Sequence, residues 1–96
     1  KDELDEYAYQ SHQRAIAATQ AGHFKDEIIP LQITRADGST DTHTIDEGIR
    51  FDVSLDGIKS VKLIAENGKL SAATASQICD GASGVLVVNE RGLKSL

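Results

Sequence analysis

The chain has 96 residues and a formal net charge of −5, with ten Lys and Arg against fifteen Asp and Glu. That is room for one small domain or part of a larger one, burying about 60–65% of the surface its unfolded chain exposes. The basic residues are scattered, which argues against a nucleic-acid or anionic-membrane binder. Large apolar anchors are few: Tyr7, Tyr9, Phe24 and Phe51 are the only aromatics, and Trp and Met are absent. Such a chain suits packing against other protein. The lone cysteine, Cys79, forms no internal disulfide, and no Cys/His spacing suggests zinc, so a reducing, cytoplasmic setting is expected. The charged opening "KDELDEYA" is not a signal peptide, and its "KDEL" lies at the wrong end for a retention signal. Both ends look cut: there is no initiator Met, and "NERGLKSL" reads as a helix just beginning.

The first predicted element is an amphipathic helix over residues 2–21. Leu4, Tyr7, Ala8, Ser11, Ala15 and Ala18 recur at three- and four-residue spacing. Asp2, Glu3, Asp5 and Glu6 suit the positive end of the helix dipole, and Gly22 suits the residue that closes the helix. Residues 28–34 have strand character, with Ile29, Leu31 and Ile33 on one face and Pro30 marking an edge. Asp37-Gly38 signals a hairpin, and Thr40 to Ile45 returns as a polar strand.

Residues 46–69 show no clear period. Gly48, Gly57 and Gly68 break them into loops, with one helical turn expected near Leu55 to Val61. Such segments usually lie over a binding surface or a larger body. From Leu70 the chain becomes a run of small residues, and "GVLVVN", residues 84–89, reads as a strand buried on both faces. No second strand of that kind is present, so the fold is expected to extend beyond these residues. There is no internal repeat, and no apolar run is long enough to span a bilayer.

Three blocks in register resemble the thiolases, the acetyl-CoA acetyltransferases and 3-ketoacyl-CoA thiolases. Ser11, Ala15, Gly22, Phe24, Glu27, Ile28 and Pro30 are similar to the family's helix-to-strand block. "DEGIR", residues 46–50, resembles its D-E-x-I-R, and "GKLSAATASQICDGASGVLVVNE" resembles its G-T-V-T-A-G-N-A-S block with the D-G-A that follows. The resemblance covers essentially the whole chain. It implies an α/β fragment of a thiolase-like α/β/α/β/α sandwich: one long helix, a β-ribbon, loops and one buried core strand. Residues 1–68 would belong to the loop domain covering coenzyme A, and residues 69–96 would return to the N-terminal core domain.

The resemblance also implies a function: a segment lining the coenzyme A channel of an acyltransferase. Arg50 would lie against the nucleotide end of coenzyme A, where a flat guanidinium stacks on adenine and stays charged beside phosphate. Ser76 would meet the pantetheine arm with a hydroxyl that both donates and accepts. Ala72, Ala73 and Ala75 would keep the channel narrow, and His12 would be a weaker ligand contact. Arg50 and the Ala/Ser run have plainer readings, as a surface Arg and as tight helix packing. Gly57 stands where the family often has Ser near the phosphates, and Lys59 or Lys62 could supply charge instead. His23 and His43 read as ordinary surface residues, and no metal site is expected.

No catalytic residue is assigned. The family's nucleophilic cysteine lies upstream of this region, and its histidine and second cysteine lie downstream. Cys79 has Asp80 beside it and no nearby cation in sequence, so it is expected to be a small buried residue, not a nucleophile. The piece alone is expected to be inactive. Acyl-CoA is the implied ligand, as a substrate with no covalently held cofactor; the implied partners are the rest of the subunit and further copies in a homo-oligomer. The alternative is part of a non-catalytic thiolase-like protein that binds or transfers lipid or acyl-CoA, since such relatives keep the fold without the cysteines. A free-standing interaction domain is a third reading, which the half-made sheet opposes.

Overall fold

A computed structural model describes all of residues 1–96. The elements in chain order are α1 (Asp2–Gln20), β1 (Leu31–Thr34), β2 (Thr40–His43), α2 (Leu55–Ser60) and α3 (Glu90–Ser95). The architecture is α/β, with three helices and one two-stranded antiparallel sheet.

α1 forms because its 19 residues contain no Gly or Pro and are rich in Ala, with carboxylates in the first turn. It ends in a Schellman closure. The His23 N–H reaches back to the Ala18 carbonyl at 3.0 Å and the Gly22 N–H to that of Thr19 at 3.1 Å, with Gly22 at φ +74°. Ile28 donates to the Phe24 carbonyl in the turn that follows, so the next strand starts at Leu31 and not at residue 28.

β1 and β2 pair with Leu31 opposite His43 and Thr34 opposite Thr40. Arg35 donates to the Ser39 carbonyl at 2.8 Å, and Gly38 donates to that of Arg35 at 2.9 Å. That is a three-residue turn closed by a bulge, and it needs the left-handed conformation Gly38 adopts at φ +85°. β2 stops at His43, two residues short of the expected Ile45. Every residue of the ribbon is exposed except the half-buried His43.

α2 packs on the start of α1. Ile58 is the only buried apolar residue in the chain. The Lys1 ammonium joins the two helices, donating to Asp5 Oδ2 at 2.6 Å and to the Lys59 carbonyl at 3.1 Å. Asp5 is fully buried, and its Oδ1 has no hydrogen-bond partner. The expected stripe on α1 is therefore not a buried apolar seam: Leu4 and Tyr7 are exposed, and Asp5 is the one buried position.

Two expectations are corrected. Residues 84–89 form no strand, and no residue from Ala75 to Val88 makes a backbone–backbone hydrogen bond. Val85 and Val87 are 92% and 89% exposed, so this is not a buried core strand. The physical reason is that a ladder needs a neighbour, and neither strand of the ribbon pairs with this segment. Cys79 is exposed and not buried, for the same lack of cover. The surface area is 8461 Å², against about 5,400 Å² for a compact protein of this mass. The radius of gyration is 18.5 Å, against about 12–13 Å for a compact domain of this length.

Candidate functional site

A cleft of about 350 Å³ opens between the middle of α1, the loop leading into α2, α2 itself and the turn after Leu70. Each wall has a local cause. On the α2 side, Ser54 caps the helix, its hydroxyl accepting from the Gly57 N–H at 3.0 Å. A side chain at Gly57 would begin 2.9 Å from Ser54 Oγ, so the glycine lets the cap close. Val53, Ile58 and Val61 form the apolar floor.

The opposite wall comes from a serine-threonine turn. Ser71, fully buried, accepts from the Ala73 N–H at 3.2 Å through its hydroxyl, and its own N–H donates to Thr74 Oγ1 at 3.0 Å. This turn sets Ala72, Ala73 and Ala75 on the cleft wall, where only methyl groups project. Asn67, at φ +59°, reverses the chain just before it, and a bridge pairs Leu63 with Ser71.

Arg50 sits between two successive turns. Ile49 donates to the Asp46 carbonyl at 3.4 Å, and Val53 donates to that of Arg50 at 3.3 Å. The Arg50 side chain is exposed at the cleft and belongs to neither ion pair of the chain, Lys1–Asp5 or Arg35–Asp41. Asp52 lines the same cleft, so the cleft carries one acidic and one basic residue. His12, half-buried on α1, faces this cleft and also an adjoining hollow of about 260 Å³. Ser76 lies in that hollow, with Asp46, Gly48 and Cys79.

Of the six residues singled out from the sequence, Arg50, His12, Ala72, Ala73 and Ala75 thus share one cleft, and Ser76 borders the adjoining hollow. Lys59 and Lys62 do not line the cleft; Lys59 faces a larger, open hollow on the other side of α1 with Asp2, Glu3 and Glu6. The sequence reading missed Asp52, the floor residues and Gln77, whose side chain lines both hollows. Ile58 and Val61, one helical turn apart behind a Ser54 cap, carried the only available signal.

The cleft lining is mostly apolar and small, with Arg50, Asp52, His12, Ser54 and Gln77 as its polar residues. No group of three or more His, Cys, Asp or Glu side chains is placed to hold a metal ion. The two carboxyls with lowered pKa, Asp37 and Asp41, lie in the hairpin. Asp37 is held down first by the Ser39 hydroxyl, and Asp41 by the Arg35 guanidinium. No helix is long and apolar enough to cross a membrane.

The thiolase N-terminal domain family matches residues 1–91. A 3-ketoacyl-CoA thiolase of Psychrobacter sp. is 41% identical over 98 positions, covering all of this chain and 25% of that protein. A 3-ketoacyl-CoA thiolase of Cronobacter sakazakii is 44% identical over 96% of this chain and 24% of its own length. The steroid 3-ketoacyl-CoA thiolase FadA6 of Mycobacterium tuberculosis is 42% identical over 98% of this chain and 22% of its own length. The chain spans about a quarter of the length of the curated relatives it matches. With nearly every residue inside the family's N-terminal domain, this chain belongs to the thiolases.

Proposed function

We propose that these residues form the coenzyme A-binding wall of a thiolase, an acyl-CoA:acetyl-CoA C-acyltransferase of lipid metabolism. The observation that carries this reading is the convergence of His12, Arg50 and the Ala72–Ala75 turn on one cleft from three separate parts of the chain. Arg50 takes the nucleotide and phosphate end of the ligand. The alanine wall lets the pantetheine arm lie close to the backbone, and Ser76 meets its amides at the rim. The relatives that support the reading are named as 3-ketoacyl-CoA thiolases.

In that setting residues 1–68 belong to the loop domain over coenzyme A, and residues 69–96 return to the N-terminal core domain. Gly84–Val88 becomes a strand of the α/β/α/β/α sandwich once the sheet of the whole subunit pairs with it. The acyl group is carried by a cysteine outside these residues, so this segment binds and orients coenzyme A and breaks no bond. No cofactor is needed beyond the acyl-CoA substrate. The rest of the subunit and further copies of it are the partners, and the single unpaired cysteine suits a cytoplasmic setting.

The test is Arg50→Ala in the full-length subunit, assayed by thiolysis of a 3-ketoacyl-CoA. The KM for coenzyme A rises about ten-fold or more, the scale of a lost charge-assisted contact, while kcat changes far less. An unchanged KM sinks the assignment of Arg50. A protein without thiolysis that still binds coenzyme A would be a transfer protein on the same fold.

A further inference from the structure

Gln77 follows Ser76 in a stretch that has no helix, strand or backbone hydrogen bond to hold it. Beside a local 3.4 Å bond from the Ser76 hydroxyl to its carbonyl, one long-range contact fixes it. Its side-chain amide, Nε2, donates to the Gly48 carbonyl at 3.1 Å, joining segments 29 positions apart in the chain. Gly48 is itself tied at its other end, its N–H donating to Asp46 Oδ1 at 2.8 Å. A β-carbon at Gly48 would lie 3.3 Å from Gln77 Oε1 and 3.1 Å from Asp46 Oδ1, so a side chain there would crowd both contacts and push them apart by a few tenths of an ångström. Two residues later comes Arg50, on the cleft that Gln77 also lines.

We propose that Gln77 is a positioning residue: its amide pins the Gly48 carbonyl and so holds the 46–50 turn with Arg50 presented to the cleft. The inference rests on the coenzyme A reading of that cleft and adds to it the device that orders the cation before the ligand arrives. The chain has no other hydrogen bond between residues 46–50 and residues 70–79. Without it the turn keeps only its own short-range bonds, and ordering Arg50 is charged to binding.

The test uses the full-length subunit and coenzyme A itself. Gln77→Met keeps the length of the side chain and removes the donor. Gly48→Ala attacks the same contact from the other side and serves if the first variant is poorly folded. Each is measured alone and in the Arg50→Ala background, by the KM for coenzyme A against kcat in thiolysis and by the calorimetric Kd.

The expected result is a KM and Kd raised about five-fold by Gln77→Met, the scale of one hydrogen bond, with kcat moving by less than about two-fold. Gly48→Ala reproduces it. In the Arg50→Ala background neither variant weakens binding further, because the residue being positioned is gone. An equal loss in both backgrounds overturns the proposal, since Gln77 would then act independently of Arg50. No loss from either variant, where Arg50→Ala does weaken binding, overturns it and leaves the coenzyme A reading standing. No effect of Arg50→Ala removes that reading and this proposal with it.

Discussion

Ile58→Ala tests what holds α1 and α2 together. Ile58 is 4% exposed and is the one apolar side chain that is buried, on the face of α2 that meets α1. The truncation removes about three methylene equivalents at ~0.8 kcal/mol each, or about 2.4 kcal/mol. The added cavity cost is small because the site opens onto the cleft, so the loss falls at the low end of the ~2–5 kcal/mol seen for such changes. Native-state hydrogen exchange on the 96-residue chain reads it. The amides of α2 and of the first turns of α1 exchange about fifty-fold faster, while those of the hairpin do not change. Val87→Ala, at an 89% exposed position, is the control and stays within ~0.5 kcal/mol. Equal effects of the two substitutions, or an Ile58→Ala effect below ~0.5 kcal/mol, would refute the claim that this contact joins the helices.

Gly38→Ala forces a β-carbon into φ +85° and costs about 1–2 kcal/mol, read as loss of the cross-strand nuclear Overhauser contacts between Leu31 and His43. Asn89→Ala removes the acceptor for the Gly92 N–H and costs α3 about 1 kcal/mol, read as lower helical chemical shifts over Glu90–Ser95. The carboxyls of Asp37 and Asp41 titrate below the ordinary aspartate value of about 3.9. Their contribution to the hairpin is therefore present above that value and lost as pH falls through the lowered pKa values. Carbon-13 titration checks this, and Arg35→Ala brings Asp41 back up; an Asp41 that titrates normally with Arg35 intact would disprove the pairing. Cys79 reacts with a thiol reagent in the folded 96-residue chain as readily as after denaturation, which protection would contradict.

The local features were legible because their causes are local. α1 runs where its Ala content and acidic start put it, and Gly22 closes it. Asp37-Gly38 marks the hairpin, although the residues alone did not show that Arg35 and Ser39 close a bulged, three-residue turn. What failed is what depends on distant partners. "GVLVVN" states a preference for burial but names no neighbour, and in this chain it pairs with nothing. The stripe on α1 likewise says that a face is apolar, not that Asp5 is the one residue of the helix that is buried. At the site, family-like blocks marked Arg50, Ser76 and the alanines, but their grouping is tertiary. Gln77 escaped notice as a latch because its partner, the Gly48 carbonyl, is backbone and leaves no trace in side-chain pattern.

The uncovered Gly84–Val88 run has a consequence for handling and synthesis. It is uncharged from Gly81 to Asn89, β-branched at Val85, Val87 and Val88, and free of Pro; Asp80 and Glu90 are its nearest charges. Such a window templates cross-β stacking between copies whenever it stays open. At micromolar concentration the 96-residue chain is expected to form thioflavin-positive aggregates, and Val87→Lys to delay them. On the ribosome, where synthesis runs at ~5–20 residues per second, the same window is a natural target for holdase chaperones until other protein covers it.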